Sequence, residues 1–240
     1  MCVLTFLPSG EDGFILTSNR DEATVRLAAF PPKKYLEKGV PIFYPKDPQG
    51  GGTWIGGCGS FTLCLLNGAF QKHEPAPPYR QSRGRVILDF YAFLNVKKFI
   101  EEYQFEGIEP FTLVILDKCN KLIVNEIRWD GERVHYANFP ADIPKIWSSS
   151  TLYPDEVIAE RAAWFTDFLE RNKNIDSDEI LKFHHFGGKK DVENAIKMNR
   201  NDVLKTVSIT QFQVDETQFK IQYEDLKIQK SYSFRIFGEC

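Results

Sequence analysis

Paired apolar segments separated by turn residues recur along this chain of 240 residues and constrain it to a fold rich in antiparallel strands. Residues 2–7 and 14–16 flank a turn rich in Gly and Asp, which predicts an N-terminal hairpin. Residues 207–214 and 218–223 alternate apolar and polar side chains, which predicts a C-terminal hairpin of half-buried strands. Between them, residues 111–136 predict a meander with a further hairpin turn at Asp-Gly.

Helical segments are predicted between these groups of strands. Apolar residues at helical spacing follow Ser82 and Asn95, two potential N-caps, and a third amphipathic segment begins at Asp155. Residues 31–48 and 71–80 are rich in proline and are expected to be loops, the second of them a lid or substrate loop. Strands at both ends of the chain and helices in the middle are compatible with two packed sheets covered by helices.

The length suits one two-sheet domain as well as it suits two small domains, and one domain over residues 1–240 is favoured. Hydrophobic residues make up 42% of the chain, which is enough for a substantial core. A net charge of −3 shows no excess of basic residues, so nucleic acid is not an expected partner. No stretch approaches the ~18 apolar residues of a membrane-spanning helix. The N-terminus shows no basic region followed by an apolar core, so no secretory signal is expected.

The pattern of cysteines and histidines argues against a metal or a bound cofactor. Five scattered cysteines form no Cys-x-x-Cys pair, which favours reduced thiols and a cytoplasmic location. No His-x-x-x-His motif is present, and on a helix the adjacent His184 and His185 would diverge by about 100°. Gly51-Gly52 is not followed by the Gly-Lys-Ser/Thr ending of a P-loop, so nucleotide binding there is not expected.

Cys2 is a candidate nucleophile because it directly follows the initiator Met1. If Met1 is removed, a thiol and an α-amine lie on the same residue, and the amine can accept the thiol proton. The N-terminal hairpin would bring the polar segment Asn19-Arg20-Asp21-Glu22 back beside Cys2, where an Arg favours the thiolate. Alternatively, Cys2 is an ordinary small buried residue, and the polar segment is a solvated loop with a helix cap.

Asn67 is a candidate oxyanion donor. It directly follows the apolar residues 61–66, which predict a buried strand, so its side-chain amide would lie at a strand end. A donor aimed at a developing oxyanion is typically worth about 3 kcal/mol of barrier. Alternatively, Asn67-Gly68 is only a turn dipeptide.

Several short blocks resemble the NRDE family, which includes the transport and Golgi organisation protein 2. Family members are similar in turn to the cholylglycine hydrolase and penicillin V acylase group. The resemblance implies an Ntn-hydrolase-like α+β fold, a four-layer αββα sandwich of two mainly antiparallel sheets. The blocks that carry it are Met1-Cys2, Asn19-Arg20-Asp21-Glu22, Gly51-Gly52-Thr53-Trp54, Leu66-Asn67 and Ser82-Arg83-Gly84.

The resemblance also implies roles for individual residues. It makes Cys2 the nucleophile and base, with Arg20 and Asp21 as its catalytic neighbours and Asn67 in the oxyanion hole. Substrate contacts are expected from the three residues Asn19, Trp54 and Ser149. Ser149 stands where many relatives have Asn, and residues 206–210 lack the late Arg of the cholylglycine hydrolases.

These inferences predict an N-terminal-cysteine hydrolase or acyltransferase, of amidase type. It would act on a non-peptide amide of a small molecule through a thioester intermediate. The alternative is a non-catalytic member of the same family that binds or carries a hydrophobic small molecule, as in haem or lipid handling.

Overall fold

Fourteen strands and four helices occur in the computed structural model, which describes residues 3–216 and 218–237. The predicted nucleophile Cys2 lies outside the described residues, as does Met1. In chain order the elements are β1 (Val3–Ser9), β2 (Gly13–Ala23), β3 (Phe30–Glu37), β4 (Val40–Lys46), β5 (Ile55–Gly57), β6 (Phe61–Asn67), α1 (Gly84–Phe90), α2 (Val96–Glu102), β7 (Phe111–Asp117), β8 (Ile123–Trp129), β9 (Val134–Phe139), β10 (Lys145–Ser148), α3 (Asp155–Arg171), α4 (Ser177–Phe186), β11 (Asn199–Arg200), β12 (Leu204–Val214), β13 (Gln218–Asp225) and β14 (Lys230–Phe237).

The strands form two seven-stranded sheets. The first has the order β10-β1-β2-β12-β13-β14, with β11 paired to β12, and the second runs from β3 to β9 in chain order. Every strand pair is antiparallel. The predicted hairpins β1–β2 and β12–β13 and the predicted meander β7–β8–β9 are therefore confirmed.

Three apolar clusters show the layering. The inner one joins Leu4 and Leu16 of the first sheet to Cys64 and Val114 of the second, so the two sheets pack face to face. A second cluster packs α1 and α2 on the outer face of the second sheet. A third packs Phe165 of α3 and other residues of α3 and α4 on the outer face of the first sheet. The expected αββα sandwich is confirmed, whereas its extent as one domain over residues 1–240 stays a prediction.

Strand β2 lies in the middle of the first sheet and determines which way the polar segment 19–22 faces. Its register pairs Val3 with Asn19 and Leu4 with Ser18 on one side, and Arg20 with Ser208 on the other. Because successive side chains of a strand point to opposite faces, neighbouring residues of this segment face different layers.

Two local expectations were wrong. Residues 31–48 are not irregular, because β3 and β4 form a hairpin there; β3 is an edge strand, where prolines are tolerated, and its register shifts between Phe30 and Lys33. Ser82 does not cap α1, whose N-cap is Arg83 without a side-chain bond. The cap predicted at Asn95 is confirmed, since its side chain accepts from the Lys98 amide.

Among the helices of the described residues, none is long and apolar enough to cross a membrane.

Gly52 and Gly84 allow two loops to approach with their backbones in contact. A Cβ added at Gly52 would lie 2.3 Å from the carbonyl carbon of Gly84. We therefore expect Gly52→Ala to lower the free energy of unfolding by about 2 kcal/mol, measured by urea denaturation. The control Gly51→Ala adds a Cβ in open space at φ +67 and should cost only about 1 kcal/mol of left-handed strain. A smaller loss for Gly52→Ala than for Gly51→Ala would contradict this packing.

Candidate active site

Four of the short sequence blocks meet at one pocket of about 120 Å³. Arg20 comes from β2, Asn67 from the end of β6, and Thr53-Trp54 from the segment before β5. The remaining lining residues are Glu22, Arg26, Asp47, Gly52, Leu65, Ser82, Arg83 and Gly84. Four of the five blocks thus contribute to a single pocket at one end of the two sheets, and the fifth, Met1-Cys2, lies outside the described residues.

Backbone hydrogen bonds hold the loops of this pocket together. The Thr53 amide donates to the Gly84 carbonyl over 3.0 Å, and the Asp47 amide donates to the Gly52 carbonyl over 2.9 Å. The loop between β4 and β5 is therefore fastened to the start of α1. This contact explains why glycine occupies both Gly52 and Gly84, since any side chain would separate the two backbones.

Arg20 is the central charged group of the pocket. Only 4% of its surface is exposed, and its guanidinium lies 4.6 Å from the centre of the Trp54 ring. Its Nη2 lies 3.4 Å from Glu22 Oε2 and 3.5 Å from Asp47 Oδ2. Burial lowers the pKa of Arg20, and the two carboxylates oppose that effect. A buried guanidinium fixed by two carboxylates and a ring presents its charge to the pocket in one orientation.

Asp47 links Arg20 to a second arginine on the pocket wall. Its Oδ2 accepts from Arg26 Nη2 over 2.5 Å. Burial alone would raise the pKa of Asp47, but the Arg26 hydrogen bond, the Gln49 amide and the two guanidinium groups hold it below its ordinary value. Asp47 therefore stays ionised and shares its charge between Arg20 and Arg26.

Asn19 faces away from this pocket, toward α4. Its Nδ2 donates to the carbonyls of His184 and Ile196 over 3.1 and 2.8 Å, and its Oδ1 lies 2.8 Å from His184 Nδ1. His184 Nε2 lies 2.7 Å from Thr5 Oγ1. These contacts suit a neutral imidazole that donates through Nδ1 and accepts at Nε2. The predicted contact of Asn19 with substrate stays a prediction.

Asp21 lies on the same outer face as Asn19. It is 3% exposed and accepts from the Tyr153 hydroxyl over 2.8 Å and from Thr206 Oγ1 over 2.5 Å. The guanidinium carbon of the buried Arg161 lies 3.6 Å from the centre of the Tyr153 ring. The four residues of the polar segment 19–22 thus face two different sides of the sheet. Arg20 and Glu22 line the pocket, whereas Asn19 and Asp21 contact the helix side.

Ser149 connects the ends of the two sheets next to the pocket. Its Oγ donates to the carbonyl of Asn67 over 2.8 Å and lies 3.0 Å from Thr151 Oγ1. Asn67 itself is half-buried on the pocket wall, whereas Ser149 is buried behind it. The serine therefore fixes the backbone of the predicted oxyanion residue, and its own contact with substrate stays a prediction.

Comparison with known proteins tests the family resemblance that these blocks carry. Residues 1–225 match the family model described as Transport and Golgi organisation 2. The chain belongs to that family. No curated protein sequence matches the chain. Membership in the Transport and Golgi organisation 2 family confirms the resemblance drawn from the blocks, while the further similarity to cholylglycine hydrolases stays a prediction.

Several residues of this Transport and Golgi organisation 2 family member were not anticipated. Asp47 lies in a segment expected to be a loop that could border a pocket, but it was not singled out, and Tyr153 and Thr206 carry no motif. The sequence gives His184 no role, because no motif of a metal-binding or catalytic histidine includes it. The sequence signal that could have indicated these partners is a run of polar residues inside an apolar strand. Each buried polar side chain there requires a hydrogen-bond partner from another element.

His184 should make stability fall in acid. Burial lowers its pKa to about 3. The unfolded chain protonates this histidine near its ordinary value of about 6.5, so its contribution is complete above that pH and is lost as the pH falls toward 3. Between pH 7 and about pH 4.5 that loss is about 2–3 kcal/mol.

The measurement is urea unfolding of wild type and His184→Gln at both pH values. We expect the variant to be less stable at pH 7 but to lose about 2–3 kcal/mol less on acidification. The neighbouring His185→Gln serves as control and should retain the drop caused by His184. If the free energy of unfolding falls by the same amount between the two pH values in wild type and in His184→Gln, His184 is not a buried neutral imidazole.

Proposed function

We propose that this family member is an N-terminal-cysteine hydrolase that cleaves a non-peptide amide bond in the pocket around Arg20. The observation that carries the proposal is the convergence of Arg20, Trp54 and Asn67 on one pocket. Val3 pairs with Asn19, and Arg20 is the next residue of β2. Cys2 precedes Val3 in the chain and lies outside the described residues, so its position at this pocket is part of the proposal.

The proposed reaction begins after removal of Met1. The Cys2 α-amine accepts the thiol proton through a water molecule, and the thiolate attacks the amide carbonyl. The Asn67 amide and backbone N–H groups hold the oxyanion. As the C–N bond breaks, the α-ammonium returns its proton to the leaving amine. Water then hydrolyses the thioester, which releases the carboxylic acid and regenerates the thiol; an amine acceptor in place of water would give acyl transfer.

Each remaining residue has a defined part in this proposal. Arg20 supplies a fixed positive charge that favours the thiolate or binds a carboxylate of the substrate. Asp21 orients the N-terminal ammonium, and Tyr153 and Thr206 hold its carboxylate. Trp54 forms the wall beneath Arg20, and its buried Nε1 has no hydrogen-bond partner among the described residues.

The pocket also restricts the substrate. Its volume of about 120 Å³ and its ring of charged side chains suit a compact polar or anionic group rather than a large apolar one. Pockets for drug-sized ligands are usually about 300–1,000 Å³. A carrier of a large hydrophobic molecule, the alternative function, would need more apolar wall than this pocket offers.

Thiol labelling tests the role assigned to Arg20. Intact and peptide mass spectrometry of protein from the native host should show a processed N-terminus at Cys2 that reacts selectively with iodoacetamide at pH 7. Arg20→Gln should slow labelling of Cys2 by roughly tenfold, because loss of the cation disfavours the thiolate. Arg171→Gln, which removes an exposed arginine paired with Asp167, should leave the rate unchanged. Equal labelling of wild type and Arg20→Gln, or a retained Met1, counts against the proposal.

Turnover of a panel of N-acyl amides tests the oxyanion assignment. With the best substrate, Asn67→Ala should lower kcat by about 100-fold or more, with a smaller change in KM. Cys2→Ala should abolish both turnover and the acyl-enzyme mass adduct while the protein remains folded. Cys119→Ala, at an exposed cysteine in a turn, should behave as wild type. Turnover retained by Cys2→Ala would rule out this mechanism.

A further inference from the structure

A second cavity lies on the helix side of the first sheet and shares no lining residue with the Arg20 pocket. Its volume is about 680 Å³, and it lies between the end of α4 with the loop that follows and the adjoining ends of β12, β13 and β14. We call it the lysine groove. Its size falls within the range of small-molecule sites.

Positive charge surrounds the lysine groove. Four ammonium groups line it, from Lys189, Lys197, Lys205 and Lys230. Lys205 pairs with the exposed Asp202 at 3.4 Å, and across residues 3–216 and 218–237 the other three have no ion-pair partner. Two separate chain segments, the loop after α4 and the start of β14, therefore bring unpaired cations to one cavity.

The carboxylates of the groove wall are already engaged. Glu224 Oε2 lies 2.8 Å from His185 Nε2. Asp225 is 3% exposed, and its Oδ1 accepts from the backbone amides of Lys227 and Ile228 over 2.9 and 3.1 Å. Among the described residues, neither acid forms an ion pair with a lysine of the groove, and four lysines outnumber these two acids. The groove consequently presents a positive potential to solvent.

The rest of the groove is apolar. Phe186 and Val192 line it with 60% and 57% of their surfaces exposed, and the buried Met198 contributes to its wall. Lys197 Nζ lies 6.0 Å from the centre of the Phe186 ring. An exposed aromatic ring beside unpaired ammonium groups is a surface that suits a ligand with both an apolar body and a negative charge.

We infer that the lysine groove is a binding site for a small amphipathic organic anion, whose charged group lies among the lysines and whose apolar body packs on Phe186. The inference is independent of the proposed hydrolase, because it uses no residue of the Arg20 pocket. Inorganic phosphates carry the charge without the apolar body and should bind more weakly.

Fluorescence titration of the full-length protein with anilinonaphthalene sulfonate, an aromatic anion, tests the site. Lys197→Gln combined with Lys230→Gln should raise its Kd about tenfold, since each lost ion contact at a solvent-accessible site weakens binding about threefold. Lys97→Gln with Lys98→Gln is the matched control, because it makes the same charge change on α2, where both lysines pair with glutamates at 3.9 Å. Equal Kd values for the two double variants would overturn the site.

Acetylation footprinting locates the bound probe. In wild-type protein the probe should protect Lys189, Lys197 and Lys230 from an acetylating reagent but leave Lys97 and Lys98 reactive. Phe186→Ala should weaken binding of the aromatic sulfonate while leaving the weaker competition by inorganic pyrophosphate unchanged. Pyrophosphate that binds as tightly as the aromatic sulfonate would overturn the amphipathic assignment, and uniform protection of all lysines would overturn the site itself.

Discussion

Alternation of side chains along β2 is the constraint on which the rest of the site depends. Arg20 points toward the second sheet, whereas Asn19 and Asp21 point toward the helices, because neighbouring residues of a strand face opposite ways. All three are almost completely buried. Burying an unpaired charge or amide would cost several kcal/mol, so each side chain requires partners from a different layer. A four-residue polar segment therefore ties together three layers of the sandwich.

Those partners come from distant parts of the chain. Asp47 and Trp54 from the second sheet and its loops hold Arg20, and His184 from α4 holds Asn19. Asp21 is held by Tyr153 and Thr206. Arg20 can thus present a fixed charge in the pocket because its neighbours along β2 anchor the strand from behind. Electrostatic groups that are held in place before a ligand arrives need little reorganisation when charge develops on it.

Local patterns were sufficient for much of the fold. The hairpins β1–β2 and β12–β13, the meander β7–β9 and the helix from Asp155 follow from alternation, turn residues and helical spacing, which are properties of neighbouring residues. The β3–β4 hairpin was missed because prolines obscure the strand pattern, although an edge strand tolerates them.

The candidate site was only partly predictable. Arg20, Trp54 and Asn67 could be proposed from short blocks, but Asp47 and His184 could not, because their contacts with β2 join residues far apart in sequence. The two opposite orientations within the polar segment 19–22 could have been predicted from the sequence. Once the residues around Arg20 are assigned to a strand rather than to a strand end, their alternation predicts that Arg20 and Asp21 face different layers.

The order of strands in the first sheet has a consequence for synthesis of the protein. The neighbours of β2 are β1, made first, and β12, whose Thr206 is 185 residues away from its partner Asp21. On a translating ribosome the N-terminal hairpin emerges long before β12, and loop closure over such a span is slow. The first sheet is therefore completed late in synthesis, whereas every described residue that lines the Arg20 pocket precedes Arg85 and leaves the ribosome early.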